Sequence, residues 1–268
     1  MSARAVGIGM DGDAGAGIGV GLGTRAGTGP GTGPNTSAGA VPGLGAGPGV
    51  GSGPDAGAAR PAPVRVAVVG PTASGKSELA RRLAGYFDAL YLTESPETNP
   101  FLSLFYENAA NHGLATELQF LLRRVKAIDI INAEEAKGGR VVADFLLEKD
   151  QIFVPVVLDD DENANEQTLF WEAKHRIMPE MPVPDLVIYL QTADEAADKR
   201  LISRGGGTFN LFPAGYLGRI HEEYRRFFHL YDNAPLLIAN NDEMDFTGND
   251  DHFELLLRTI SHMQGNRH

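Results

Sequence analysis

The sequence predicts an α/β fold, a three-layer sandwich in which a mainly parallel sheet carries helices on both faces. Three observations lead there. Short runs rich in Val, Ile and Leu alternate with segments of helical periodicity from residue 64 onward. These runs are apolar at nearly every position rather than at every second one, as strands covered on both faces must be. A glycine loop joins the first run to the first helical segment, the arrangement of a β-loop-α unit.

The elements follow in order. Val64–Val69 is a β-branched run and predicts a buried strand. Gly70 to Gly75 form a loop, and Leu79, Leu83 and Phe87 place a helix over Lys76–Phe87. Ala89–Thr93 predicts a second strand. Leu114, Leu118, Leu121, Leu122, Val125 and Ile128 make one stripe of a long helix over His112–Lys137. A strand over Arg140–Phe145 and a helix over Glu166–Met178 come next. Asp185–Gln191 reads as a strand and Ala193–Ser203 as a helix. A helix over Gly215–Tyr231, a strand over Pro235–Ala239 and a helix over His252–Gln264 close the chain. Tyr224, Phe227, Phe228 and Tyr231 recur at helical spacing and are expected in the core, and Trp171 in the core or at an interface.

Composition divides the 268 residues in two. Of 33 glycines, 20 fall in residues 1–62, with six charges balanced in sign. Such a segment cannot bury enough apolar surface to offset the entropy of ordering it, so residues 1–62 are expected to be a disordered Gly/Ala/Pro-rich extension without secondary structure. Residues 63–268 carry the whole net charge of −12 and suffice for one large domain. The acidic balance argues against a nucleic-acid footprint. No apolar run reaches the ~18 residues of a membrane span, and no secretory signal is expected. The absence of cysteine excludes a disulfide scaffold and suits a reducing cytoplasm, and the seven histidines lack zinc-ligand spacing.

The chemistry begins in the loop. Gly70-Pro71-Thr72-Ala73-Ser74-Gly75-Lys76-Ser77 fits G-x-x-x-x-G-K-[ST] in full, between a predicted strand and a predicted helix. Small residues let successive backbone N–H groups curl round a β-phosphate, and the helix N-terminus adds positive potential. Lys76 would reach the β- and γ-phosphates, and the Ser77 hydroxyl would ligate Mg²⁺. The fold is thus expected to be of the P-loop NTPase type. The N-K-x-D motif of guanine-specific GTPases is absent. A kinase needs a carboxylate near the loop to take an acceptor proton. Glu94 follows directly on the second predicted strand, at the carboxyl edge where ligands of parallel sheets sit. Asp144, at the end of the next strand run, reads as a magnesium carboxylate. Glu117 and Arg124 lie seven apart on one helix, hence on one face and about 10 Å apart along the axis. A half-buried Arg124 wants a carboxylate, which Asp150 can supply.

From Val64 to the C-terminus the chain resembles the deoxynucleoside kinase family, in particular the bacterial purine deoxynucleoside kinases. The resemblance rests on ordered features: the phosphate loop, Glu94 before Asn99-Pro100-Phe101-Leu102, then Phe105-Tyr106, and a long helix with Glu117 and Arg124. Val142-Ala143-Asp144 with Asp150 six positions on, Pro184–Leu190, Arg204-Gly205 and Asp245-Phe246 complete it. It implies that Glu94 is the general base for the nucleoside 5′-hydroxyl and that Asp144 helps hold Mg²⁺. It implies that Tyr106 binds the sugar 3′-hydroxyl, and that Glu117, Arg124 and Asp150 face the base. ATP would be the donor, and Lys76, Arg200 and Arg204 would stabilise phosphate charge. A homodimer is implied as well.

The chain departs from the family pattern in three places. Asp144-Phe145-Leu146 stands where Asp/Glu-Arg-Ser is common. In the expected lid, Arg200 and Arg204 are kept, but Gly206 and Phe209 replace an Arg and a Glu. Gly218 occupies the place of a sugar-binding Glu, with Glu222 or Glu223 as substitutes. Guanine presents N1–H and N2–H₂ as parallel donors, which suits an ionised Glu117, so deoxyguanosine is the expected favourite. The alternatives are a monophosphate kinase of thymidylate-kinase type and a nucleotide-binding module without turnover.

Overall fold

A computed structural model describes residues 5–7, 63–159, 164–203 and 212–263. Among these, six strands form one parallel sheet in the order β1-β3-β4-β2-β5-β6. They are β1 (Ala5–Gly7), β2 (Arg65–Val69), β3 (Leu90–Thr93), β4 (Val141–Ala143), β5 (Leu186–Gln191) and β6 (Leu236–Asn240). The helices are α1 (Lys76–Phe87), α2 (Leu102–Glu107), α3 (Ala109–Glu135), α4 (Asp150–Val157), α5 (Ala164–Ile177), α6 (Asp194–Ser203), α7 (Tyr216–Leu230) and α8 (Asp250–His262).

The strand sequences explain the layers. Val66 and Val68 of β2 and Ile188 and Leu190 of β5 pack with Leu79 and Leu83 of α1 and with Phe253, Leu256 and Leu257 of α8. Their neighbours Ala67, Val69, Val187 and Tyr189 point the other way, against Leu121 of α3, Ile152 and Val154 of α4, Phe170 of α5, and Ile220 and Phe228 of α7. Successive side chains of a strand alternate in direction, so a run apolar at every position builds two cores at once. Tyr189 stacks on Phe228 with ring centroids 4.4 Å apart. A third cluster, of Leu90, Leu92, Ile128, Val141 and Phe145, fills the space where α3 crosses β3 and β4. β2 lies between β4 and β5, with Val66 opposite both Val142 and Leu186, so the loop leaving β2 opens at the centre of the sheet's carboxyl edge.

Four features differ from the sequence reading. Ala5–Gly7, expected to carry no secondary structure, runs parallel to β3 with Gly7 opposite Thr93. Helix α3 starts three residues earlier than expected, where the Asn108 side chain accepts from the Asn111 N–H. The short helix α2 was not foreseen. Nor was α4: Pro155 and the β-branched run from Ile152 to Val157 disfavour a helix locally. Tertiary packing between α3 and α7 overrides that preference, leaving Val154 fully buried. No helix among the described residues is long and apolar enough to cross a membrane.

Candidate active site

The phosphate loop has the backbone its motif requires. Ala73 and Gly75 adopt left-handed φ of 63° and 84°, separated by Ser74, whose N–H donates to the Pro71 carbonyl at 3.2 Å. Alternation of hand turns successive N–H groups toward one concave side. A Cβ on Gly70 would lie 2.7 Å from Ser74 Oγ and 3.0 Å from the Leu190 carbonyl oxygen, so only glycine fits there. Helix α1 opens from Gly75 without a side-chain cap. The Ser74 hydroxyl is buried and has no hydrogen-bond partner. An uncapped helix start, a nest of N–H groups and an orphaned hydroxyl suit a phosphate group. From behind, Asn241 Nδ2 donates to the Ser74 carbonyl at 2.7 Å and fixes the loop to the end of β6.

Gly70, Thr72, Lys76 and Ser77 of this loop line a cavity of about 330 Å³ together with Glu94 and Asp144. Tyr106, Glu117, Phe120, Arg124 and Phe153 line the same cavity. Lys76 Nζ reaches back over the loop to the Pro71 carbonyl at 3.4 Å.

Glu94 is 5 % exposed, just beyond β3. Its N–H donates to Asp144 Oδ1 at 3.1 Å. Its Oε1 accepts from Arg124 at 3.1 Å, and its Oε2 from Lys149 Nζ at 2.5 Å. Burial pushes the Glu94 carboxyl upward, but Lys149 and then Arg124 outweigh it and hold the group below its ordinary range. The backbone around it is pinned. Ser95 sits in the left-handed region at φ 49°, and the buried Arg123 donates to the Glu94 carbonyl at 3.3 Å and the Ser95 carbonyl at 2.9 Å. A strained residue persists only where its surroundings over-determine it, and here they fix the backbone that carries the Glu94 carboxylate.

Arg124 is the hub of a buried charge cluster. It pairs with Glu94 through one nitrogen and with Asp150 through the other, and Lys174 Nζ lies 2.9 Å from the second Asp150 oxygen. Glu117, on the same helix and 3 % exposed, has its carboxyl pushed up to about 8. Burial does this, with Asp150 adding to it and Arg124 opposing it. At neutral pH Glu117 is therefore protonated, with one donor and one acceptor edge. Asp144 accepts from Tyr91 (2.8 Å) and Thr93 (3.0 Å) on Oδ2, and from Glu94 on Oδ1. That leaves lone-pair capacity on Oδ1, on a carboxylate that shares its cavity with Ser77.

Of the residues predicted from sequence, the structure brings Gly70, Thr72, Lys76, Ser77, Glu94, Tyr106, Glu117, Arg124 and Asp144 into one cavity, with Asp150 directly behind Arg124. Pro71 lines a neighbouring cavity of about 290 Å³ beside Gln191 and Thr192. Arg200 is not at the acceptor pocket: its guanidinium donates to the Asn241 carbonyl at 3.0 Å. Arg204, with Gly206 and Phe209 of the expected lid, lies outside the described residues. Gly218 is exposed on α7, and Glu223 pairs with Arg226 rather than facing the cavity. Sequence reasoning missed Arg123, Lys149 and Lys174. Arg123 carried a signal, a charged residue beside Arg124 in an apolar stripe. Lys149 and Lys174 carried none, because their partners are distant in sequence.

A P-loop sheet with a buried carboxylate lining the same pocket as the phosphate loop defines a nucleoside triphosphate-dependent phosphotransferase. The family model for deoxynucleoside kinases matches residues 66–263. The chain belongs to the deoxynucleoside kinase family, ATP-dependent kinases acting on a small nucleoside. It is 25 % identical over 203 residues to the deoxyguanosine kinase of Bacillus subtilis (strain 168), covering 74 % of this chain and 96 % of that protein. It is 24 % identical over 194 residues to the deoxyadenosine kinase of Lactobacillus acidophilus, covering 69 % and 88 %. The fold is shared with the solved deoxyadenosine kinase from M. mycoides with bound dATP, at a TM-score of 0.62 and 20 % identity, covering 74 % and 98 %.

Proposed function

We propose that the chain transfers the γ-phosphoryl of ATP, with Mg²⁺, to the 5′-hydroxyl of a purine deoxynucleoside, deoxyguanosine being favoured where Glu117 is ionised and deoxyadenosine where it is protonated. The observation that carries this reading is the ionised, buried Glu94 in the same cavity as Lys76 and Ser77. Glu94 takes the 5′-hydroxyl proton as the oxygen bonds to phosphorus, and the bond to the β-phosphate oxygen breaks to release ADP. Lys76 and the loop N–H groups hold the phosphates, and Arg200 and Arg204 add positive charge toward the donor. The metal, when bound, neutralises phosphate charge. Ser77 and Asp144 would hold it, one hydroxyl and one carboxylate being a usual protein share for magnesium.

Tyr106 takes the sugar 3′-hydroxyl, and Glu117, Arg124 and Asp150 read the base. The relatives named for deoxyguanosine and deoxyadenosine support a purine. A nucleoside rather than a monophosphate is favoured because Arg124 and Lys149, cations of the acceptor end, are already paired with carboxylates. Residues 63–268 make up the kinase domain, to whose sheet Ala5–Gly7 adds an edge strand, and residues 1–62 stay outside the chemistry. A cytoplasmic homodimer fits the cysteine-free composition and the exposed Leu122 and Leu169 on the adjacent helices α3 and α5.

The test is Glu94→Gln. Turnover in an ATP-consumption assay across nucleosides and their monophosphates should fall on the order of 10²–10⁴-fold, with ATP binding kept. Unchanged turnover would remove Glu94 as the base.

A further inference from the structure

Two tyrosines of α7, Tyr216 and Tyr224, line the cavity that holds Lys76 and Glu94. They are 7 % and 3 % exposed and stand about 12 Å apart along the helix axis. Neither hydroxyl has a hydrogen-bond partner among the described residues. A buried phenol ordinarily finds one. The Tyr224 ring belongs to the core, as its helical spacing predicts. It stacks on Tyr189 at 6.1 Å and on Phe228 at 6.2 Å between centroids, and meets Phe153 edge to face at 6.1 Å. Three rings thus fix its plane, while its oxygen is left to the occupant of the cavity. Burial raises the pKa of both phenols, so both keep their proton. Among ionisable neighbours, Glu117 acts most strongly on Tyr216 and Glu94 on Tyr224. Such an influence falls with distance, so Tyr216 goes with Glu117 and Tyr224 with Glu94.

We propose that Tyr224 is a further substrate-positioning residue: its hydroxyl donates to the acceptor oxygen and so sets the direction of the attacking lone pair. The inference rests on the cavity taking a nucleoside whose 5′-hydroxyl meets Glu94. Arg124 and Lys149 take one lone-pair direction on each Glu94 oxygen, and each oxygen has two, so the 5′-hydroxyl can still donate there. That hydroxyl then has two lone pairs of its own. One forms the bond to phosphorus as the proton passes to Glu94, and the other stays on the Tyr224 O–H. Tyr224 itself loses no proton. Orientation is what this step needs, because a loose phosphoryl transition state leaves catalysis mostly to positioning and charge. A phenol held by three rings supplies that orientation without adding charge beside Glu94.

The experiment is Tyr224→Phe, which removes one oxygen and keeps the ring among Tyr189, Phe153 and Phe228. Its melting temperature should equal that of the parent, because no described residue loses a hydrogen bond. Its kcat/KM for deoxynucleoside should fall about 5–30-fold, with ATP affinity unaltered. The deciding measurement is calorimetric titration of parent and variant with deoxyguanosine and with its 5′-deoxy analogue. Deoxyguanosine should bind the variant about 3–10-fold more weakly, and the analogue should bind both alike, since it lacks the oxygen that Tyr224 holds. A lowered melting temperature, turnover within about twofold of the parent, or an equal loss for both ligands overturns the proposal. The parallel Glu94→Gln variant separates the two readings. An inactive Glu94→Gln beside full turnover in Tyr224→Phe sinks this proposal alone. Full turnover in Glu94→Gln removes the base, and the comparison of the two ligands still decides Tyr224.

Discussion

Arg124 donates to Oε1 of Glu94 at 3.1 Å from a guanidinium that is itself 2 % exposed and paired on its other side with Asp150. One side chain thus ties the carboxylate that follows β3 to the carboxylate that opens α4. Burial opposes its charge, but Asp150 and Glu94 outweigh this and raise its pKa further. Removing one partner of a buried ion pair strands the others. Arg124→Met should therefore destabilise the fold by about 3–5 kcal/mol, visible in a denaturant melt, beyond any effect on turnover. A melt within 1 kcal/mol of the parent, to order of magnitude, would show the pairs to be replaceable.

Nucleoside choice should depend on pH through Glu117, whose carboxyl is raised from 4.5 to about 8. Below that value it is neutral and offers a donor beside an acceptor, which complements adenine. Above it, both oxygens accept, which complements the N1–H and N2–H₂ of guanine. Deoxyguanosine binding should tighten as pH rises toward 8, by up to about tenfold per pH unit, because it expels one proton. Deoxyadenosine binding should weaken above pH 8. Glu117→Gln should abolish both trends and favour deoxyadenosine. Nucleoside affinities measured from pH 6 to 9 decide it. The same group makes stability fall with rising pH. The folded state keeps this proton up to about 8 and the unfolded chain loses it near 4.5, so the folded state binds more protons in between.

Gly70→Ala should weaken ATP binding by roughly tenfold or more, about 1.4 kcal/mol per decade. The added Cβ meets Ser74 Oγ and the Leu190 carbonyl oxygen and must push the loop open. Gly85→Ala, at an exposed position of α1 with nothing within 4 Å of the new Cβ, is the control. It should stabilise by about 0.5–1 kcal/mol and leave ATP binding alone. Calorimetric titration with ATP compares the two.

Deleting residues 1–62 should leave kcat/KM within about threefold, since no catalytic group lies there, yet lower the melting temperature. β1 pairs with β3 along Tyr91–Thr93, next to Glu94, and its loss bares a strand edge that invites association. Turnover assays and light scattering of the truncated chain check the two halves of this statement.

Much of the fold was legible in the sequence because its signals are local. A β-branched run, a G-x-x-x-x-G-K-[ST] loop and a leucine stripe are each written within a few residues, and β2, the phosphate loop, α1 and α3 follow from them. The places of Glu94 and Asp144 at strand ends were legible for the same reason. α4 was not, because Pro155 argues against a helix locally and packing between α3 and α7 decides otherwise. β1 was not, because three residues in a glycine-rich background carry no pattern of their own and take strand form by pairing with β3.

The sequence by itself determined the kind of protein: the phosphate loop, the alternation of strands and helices, and the order of acidic and basic residues that marks the family. Only the tertiary structure decided how the charges are shared. Lys149 and Lys174 reach Glu94 and Asp150 across 55 and 24 residues of chain. Nothing in local spacing announces a pair formed at that separation. The ionisation of Glu94 and the neutrality of Glu117 were likewise decided there. Both are buried glutamates at the same pocket, and what parts them is distance to Lys149 and Arg124, a property of the fold alone.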